Sequence, residues 1–98
     1  MDIQNMLRQA QKIQQDMLKI KKEIEEKIFP GKYSNIEVEV NGKKELVRVK
    51  IDRNFNLEKD DFEMLEDMIV VAVNDAMKKV DKEIEEKMGK FGNIPGLF

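Results

Sequence analysis

The sequence predicts an α+β domain in which two long terminal helices flank a small antiparallel sheet. Three observations predict it. Apolar residues recur at alternating intervals of three and four from Ile3 to Ile24. Two short stretches, Ile36 to Val40 and Val47 to Ile51, alternate apolar with charged residues. A third apolar pattern, again with helical spacing, follows an acid-rich segment and continues to about Met88. The 98 residues make one domain. A chain of this size buries about two-thirds of its unfolded surface, enough to fold with little to spare.

The first helix carries Ile3, Met6, Ala10, Ile13, Met17, Ile20 and Ile24 at strict heptad spacing, with Leu7 and Leu18 widening the stripe. Such a seam is built to meet another helix. The plainer alternative is an amphipathic helix lying on its own core. The helix runs into Ile28-Phe29-Pro30-Gly31-Lys32. Pro followed by Gly suits the two central positions of a type II turn, so a turn is expected there, with a short strand near residues 27–29 leading into it.

The next two strands alternate cleanly. A two-residue Asn41-Gly42 turn between them would set Val38 against Glu45, whereas a four-residue loop from Asn41 to Lys44 sets Val38 opposite Val47 and Ile36 opposite Val49, with Glu37 opposite Arg48. Matching apolar faces decide register, so the longer loop is expected. One face of the sheet is then apolar and the other charged.

The second helix begins near residues 59–61. Its first turns hold Asp60, Asp61, Glu63, Glu66 and Asp67, which suit the positive end of the helix dipole. Phe62, Leu65, Ile69, Ala72, Ala76, Val80 and Ile84 form its stripe, and the run from Met68 to Val73 widens the apolar surface to nearly all round. Gly89 is a suitable stop. Residues 1–88 thus form the domain, and residues 89–98 read as an irregular apolar tail containing Gly and Pro.

Helices of these lengths measure roughly 33 and 42 Å, while two or three strands span only about 10–15 Å across. The helices overhang the sheet, and one small sheet face cannot cover an all-round apolar run. Exposed apolar patches mark partner surfaces, and a homodimer is the simplest partner. Leu65, Met68, Ile69, Ala72, Val73 and Ala76 are the expected dimer interface. Asn74 and Asp75 are expected to be buried or semi-buried hydrogen-bonding groups that fix register, a solvent-facing pair being the alternative.

The inventory counts against catalysis. There is no Cys, His, Thr or Trp, and Ser34 and Tyr33 are the sole residues of their kinds. No nucleophile–base arrangement is visible. Gly31-Lys32 lacks the flanking residues of a P-loop. From Asp52 to Glu63, oxygen side chains fall at several positions of an EF-hand loop, but Leu57 stands where the sharp turn needs Gly, and the segment follows a strand. No metal and no cofactor is therefore expected. Met1-Asp2-Ile3 is not a signal-peptide start, and no apolar run reaches the roughly 18 residues of a membrane span, so a cytoplasmic, soluble protein without membrane or small-molecule partners is expected.

The net charge of −2 conceals local contrast between 18 basic and 20 acidic residues. The outward positions of the first helix hold Gln4, Arg8, Gln11, Lys12, Gln15, Lys19 and Lys22, and no acid appears on that face from residue 4 to 22. Arg and Lys neutralise phosphates, and Gln can bond to phosphates or base edges. A solvated helix face is the bland alternative, and the acidic total speaks against a strong nucleic-acid footprint. Lys78, Lys79 and Lys82 are further candidates, weaker because Asp81, Glu83, Glu85 and Glu86 are interleaved with them.

Three features together resemble the YbaB/EbfC family of bacterial nucleoid-associated proteins over essentially the whole chain. They are the Gln/Lys/Met-rich helix MLRQAQKIQQDMLKIKKEIEE, the hairpin ending in VRVKID, and MLEDMIVVAVNDAMKKV followed by a Gly/Pro tail. The last is similar to that family's Leu-Glu-Asp…Ala-x-Asn-Asp-Ala signature. The resemblance implies an α-β-β-β-α fold, a homodimer with helices projecting like tweezers, and non-catalytic binding of double-stranded DNA through the helical arms in the nucleoid. The compact FPGKYSN departs from the longer Gly-containing segment usual in the family. A coiled-coil-like protein–protein interaction module is the other functional class that this sequence suits.

Overall fold

The computed structural model describes residues 2–92. The chain forms α1 (Ile3–Glu26), β1 (Ile28–Tyr33), β2 (Ile36–Asn41), β3 (Leu46–Ile51) and α2 (Phe62–Met88), with short 3-10 turns at Lys59–Asp61 and Gly89–Phe91. The three strands make one antiparallel sheet in the order β1-β2-β3. This is the α-β-β-β-α architecture. The molecule is a rod, 71 × 19 × 17 Å, because both helices run past the sheet.

Ile36, Val38 and Val40 line the inner face of β2 and are buried against α2, where Met68, Ala72, Ala76 and Val80 form the buried ridge. These recur every four residues, so they stack on one side of the helix. Two alanines in that ridge let the helix lie close. Gly31 of β1 lets it lie closer still, since a Cβ there would collide with the carbonyl oxygen of Ala72 and stand 2.7 Å from the Ala76 Cβ.

Pro30-Gly31 is therefore not a turn. Both residues lie inside β1, opposite Glu39 and Val38. Pro is tolerated because β1 is an edge strand, where a missing N–H breaks no ladder. The reversal falls at Ser34-Asn35, between the paired Tyr33 and Ile36. Ser34 takes a φ of 53° there, and Asn35 does not share that positive φ, the pattern of a type II′ hairpin turn.

The β2–β3 register also differs from expectation. Val38 faces Val49, Ile36 faces Ile51 and Glu37 faces Lys50, two residues on from the expected partners. The cause is a three-residue loop plus a bulge. The amide of Asn41 bonds to the Glu45 carbonyl at 3.0 Å, and that of Lys44 to the Asn41 carbonyl at 3.0 Å. The Asn41 side chain accepts from the Lys43 and Glu45 amides at 2.9 and 3.1 Å. Lys44 then closes the loop at a φ of 63°. Val40 pairs with Leu46, and a shift between Glu39 and Val40 carries Glu39 to Arg48, leaving Val47 as the extra residue. The two one-residue displacements add, so the apolar face is preserved.

α1 docks by its C-terminal third. Gly42, buried in the hairpin loop, receives the end of the helix, and a Cβ there would strike the Ile24 carbonyl. Met17 and Ile24 are buried in the core cluster with Val80 and Met88, and Lys27 forms an ion pair with Glu83. Lys44 ties the hairpin loop to Asp81 of α2. Asp2 caps the far end, accepting from the Gln4 amide at 3.0 Å. The tail reading applies to residues that are described only as far as Gly92; residues 93–98 lie outside the described part.

Candidate nucleic-acid interface

From Asp2 to Asp16 every residue of the first helix is exposed. The seam positions Ile3, Met6 and Ile13 stand open to solvent, and only Met17, Ile20 and Ile24 find cover. The heptad thus serves two uses: its last part packs on the protomer's own α2, and its first part runs along a free arm.

On the opposite side of this arm lie Gln4, Arg8, Gln11, Lys12, Gln15, Lys19 and Lys22. At 3.6 residues per turn they fall within roughly 100° of arc, over about 27 Å of helix. All seven are exposed. Arg8, Lys12, Lys19 and Lys22 form none of the ion pairs found among the described residues, so no carboxylate competes for them. Lys21, off this arc, pairs with Glu25 at 3.6 Å. Acid returns to the arc at Glu26, at the base of the helix beside the sheet. Cations and amide side chains at this spacing can follow a row of phosphates.

The candidates on α2 differ among themselves. Lys79 is held by the fold: its Nζ donates to the Pro30 carbonyl at 2.8 Å and lies 3.7 Å from Asp75. It stands apart from Lys78 and Lys82, which are exposed and form no described ion pair. Asp75 is half-buried and accepts the Lys32 amide of β1 at 3.1 Å, whereas Asn74 is exposed. Of the expected pair of buried or semi-buried hydrogen-bonding groups only Asp75 is one, because only that residue faces the free edge of β1.

The outer face of the sheet is charged but largely self-compensated. A shallow cavity of about 610 Å³ there is lined in part by Lys32, Arg48, Lys50 and Arg53, with Glu37 and Asp52 among them. Lys32 lies 3.9 Å from Glu37 and Arg48 3.7 Å from Glu39 across the strands. Cations already facing central-strand acids have less to offer a phosphate.

Of the six residues expected at a dimer interface, Met68, Ala72 and Ala76 are buried under the protomer's own sheet. Leu65, Ile69 and Val73 remain partly open. The all-round apolar run is only half covered, since Val70 and Val71 are exposed. Sequence reasoning missed the strand that is also open: Leu46, Val47 and Val49 of β3 are exposed. The available signal was the sheet order, which leaves a last strand beyond the reach of one helix.

No helix among the described residues is long and apolar enough to cross a membrane. Comparison with known proteins places these features in context. The model of the YbaB/EbfC DNA-binding family matches residues 1–94. A nucleoid-associated protein of Clostridium novyi is 41% identical over all of this chain and 90% of its own length. One from Ligilactobacillus salivarius is 38% identical over 99% of this chain and 95% of the relative. One from Caldanaerobacter subterraneus is 37% identical over 99% and 91%.

Proposed function

The chain belongs to the YbaB/EbfC DNA-binding family, and from that membership we propose that it is a homodimer that binds double-stranded DNA through its α1 arms. Its place is the cytoplasmic nucleoid, as the names of its relatives suggest, and its role is nucleoid organisation with effects on gene expression. It carries out no catalysis. The observation that carries this reading is the arc of four cations and three glutamines on a helix whose first part runs clear of the sheet, with no carboxylate among the described residues paired to any of the cations. Phosphate contacts of this kind give affinity with little sequence information. Lys78 and Lys82 add to the interface, and Lys79 adds least because its charge is already engaged.

A second reading has its own observation. The open seam at Ile3, Met6 and Ile13 suits a helical protein partner. The two readings separate by salt. Four arm cations per chain make eight in a dimer, and if half meet phosphates, log affinity falls with log salt at a slope of roughly −3 to −4. The experiment is a salt titration of binding to unrelated duplexes, with wild type and the Arg8→Glu/Lys12→Glu double variant. Binding at low salt that the double variant loses, with helical content intact, supports the arm. Undiminished binding by an intact variant removes the arm assignment, and no wild-type binding at low salt removes the function.

A further inference from the structure

The seam of α1 opens where α2 runs out. Lys44 ties the β2–β3 loop to Asp81 of α2, and Lys27, just past the end of α1, is paired with Glu83. Beyond that level both helices leave the sheet. Met88 lies about 12 Å past Val80 along α2 and is still buried, in one cluster with Met17 and Ile24. The two helices therefore run side by side in opposite directions. Counted at equal rise from the Lys27–Glu83 pair, Met17 is level with about position 93. Met17 is also the last seam residue to be buried, and beyond it Ile13, Met6 and Ile3 are 50%, 51% and 72% exposed. The 71 Å rod, against roughly 40 Å for α2, agrees with an arm of about 20 Å that continues alone.

At that point the sequence continues with Asn93-Ile94-Pro95-Gly96-Leu97-Phe98, and we propose that this segment seats on the open seam of its own α1, taking over where α2 stops. Position argues for it first. Phe91 packs against the core cluster, so the chain is led to the foot of the seam. Length agrees, since six residues reach at most about 20 Å and the seam from Ile13 to Ile3 is about 15 Å long. A segment tethered so close has an effective concentration on the order of millimolar, which a partner from solution does not match.

The chemistry matches as well. The segment holds Ile94, Leu97 and Phe98 and carries no charged side chain. Between Ile3 and Gln15 the seam is flanked, by helical position, by Leu7, Gln9 and Gln14, which are uncharged too. A charged partner finds nothing to pair with there, whereas an apolar, uncharged segment leaves no charge buried. Arg8, Lys12 and Lys19 lie on the opposite side of α1, so the seated segment leaves the basic arc open. Its effect is on the arm itself. An isolated helix of about 14 residues is marginal in water, and cover along the apolar side holds residues 3–16 helical. The inference goes beyond the proposed DNA contact and does not depend on it.

The test is hydrogen exchange of the full chain, with circular dichroism to confirm the fold. In Leu97→Ser/Phe98→Ser, amides of residues 6–15 lose protection at least about fivefold, because losing apolar cover lowers the free energy of local opening, while residues 17–26 keep theirs. A second measurement uses the absence of native cysteine. Ile13→Cys with Ile94→Cys closes a disulfide within one chain on mild oxidation, whereas Arg8→Cys, on the far side of the helix, does not close one with Ile94→Cys. Unchanged protection in the folded serine variant overturns the assignment, and so does cross-linking that is equal from positions 8 and 13. Protection of residues 6–15 that follows protein concentration instead of the segment, or a disulfide that joins two chains, gives the seam to a second copy and overturns it too. Neither readout uses a duplex, so failure here is distinct from failure of the proposed function.

Discussion

Gly31 sets how closely α2 lies on the sheet, and Pro30 beside it supplies the carbonyl that Lys79 holds. As a dipeptide the pair favours a turn. What overrides that preference is a helix backbone more than forty residues away, and no local pattern announces it. Gly31→Ala forces the Ala72 carbonyl away and destabilises the protein by about 3 kcal/mol, as overpacking in a tight core does. Urea denaturation measures this as a lower midpoint. Ser34 presents the reverse case. It holds a φ of 53° in a two-residue turn, where a β-carbon is a burden. Ser34→Gly relieves that strain at the expense of some unfolded-state entropy and stabilises the fold by about 0.5–1 kcal/mol, read as a rise in Tm of a few degrees.

At the scale of elements, periodicity made both helices and two strands legible. The heptad in residues 3–24 and the stripe from Phe62 to Ile84 gave helices with nearly the observed ends. The acid-free basic face of α1 was equally legible, because helix geometry follows from spacing alone. Register was not. Apolar matching distinguishes inner from outer faces but cannot separate two pairings that differ by two residues, and the bulge at Val47 turns on the fit of Asn41 and Lys44 within one loop. Nor could spacing show that α1 divides into a docked part and a free arm. That division depends on Gly42, which accepts the end of the helix. Gly42→Ala displaces the base of α1. In hydrogen exchange, amides of residues 17–26 lose protection at least tenfold, a change worth about 1.4 kcal/mol, while the buried centre of β2 exchanges more nearly as in wild type.

At the scale of the whole molecule, the partly open Leu65, Ile69 and Val73 of α2 and the exposed α1 arm lie on different elements, so the proposed dimer and the proposed DNA contact can be tested apart. Each arm displays four cations, unpaired among the described residues, from Arg8 to Lys22 along about 21 Å, close to six base pairs at 3.4 Å each. A dimer presents two such rows to one duplex. If two phosphates per arm are neutralised, the dimer loses affinity with a log–log salt slope near −3.6, and a monomer with one intact arm has a slope near −1.8. Val73→Asp, at a partly open position of the expected dimer interface, is expected to supply that monomer without altering any residue of the arm. Its slope on a 30-base-pair duplex is expected to be half that of wild type, with weaker binding at every salt concentration. The Arg8→Glu/Lys12→Glu variant is expected to stay dimeric and also lose slope, by removing contacts rather than an arm. Fluorescence anisotropy over a salt series, read with sedimentation of the same samples, checks both. A monomeric Val73→Asp protein that keeps the full wild-type slope would mean that a single protomer makes all the phosphate contacts, and the two-armed grip would then be wrong even with the α1 assignment intact.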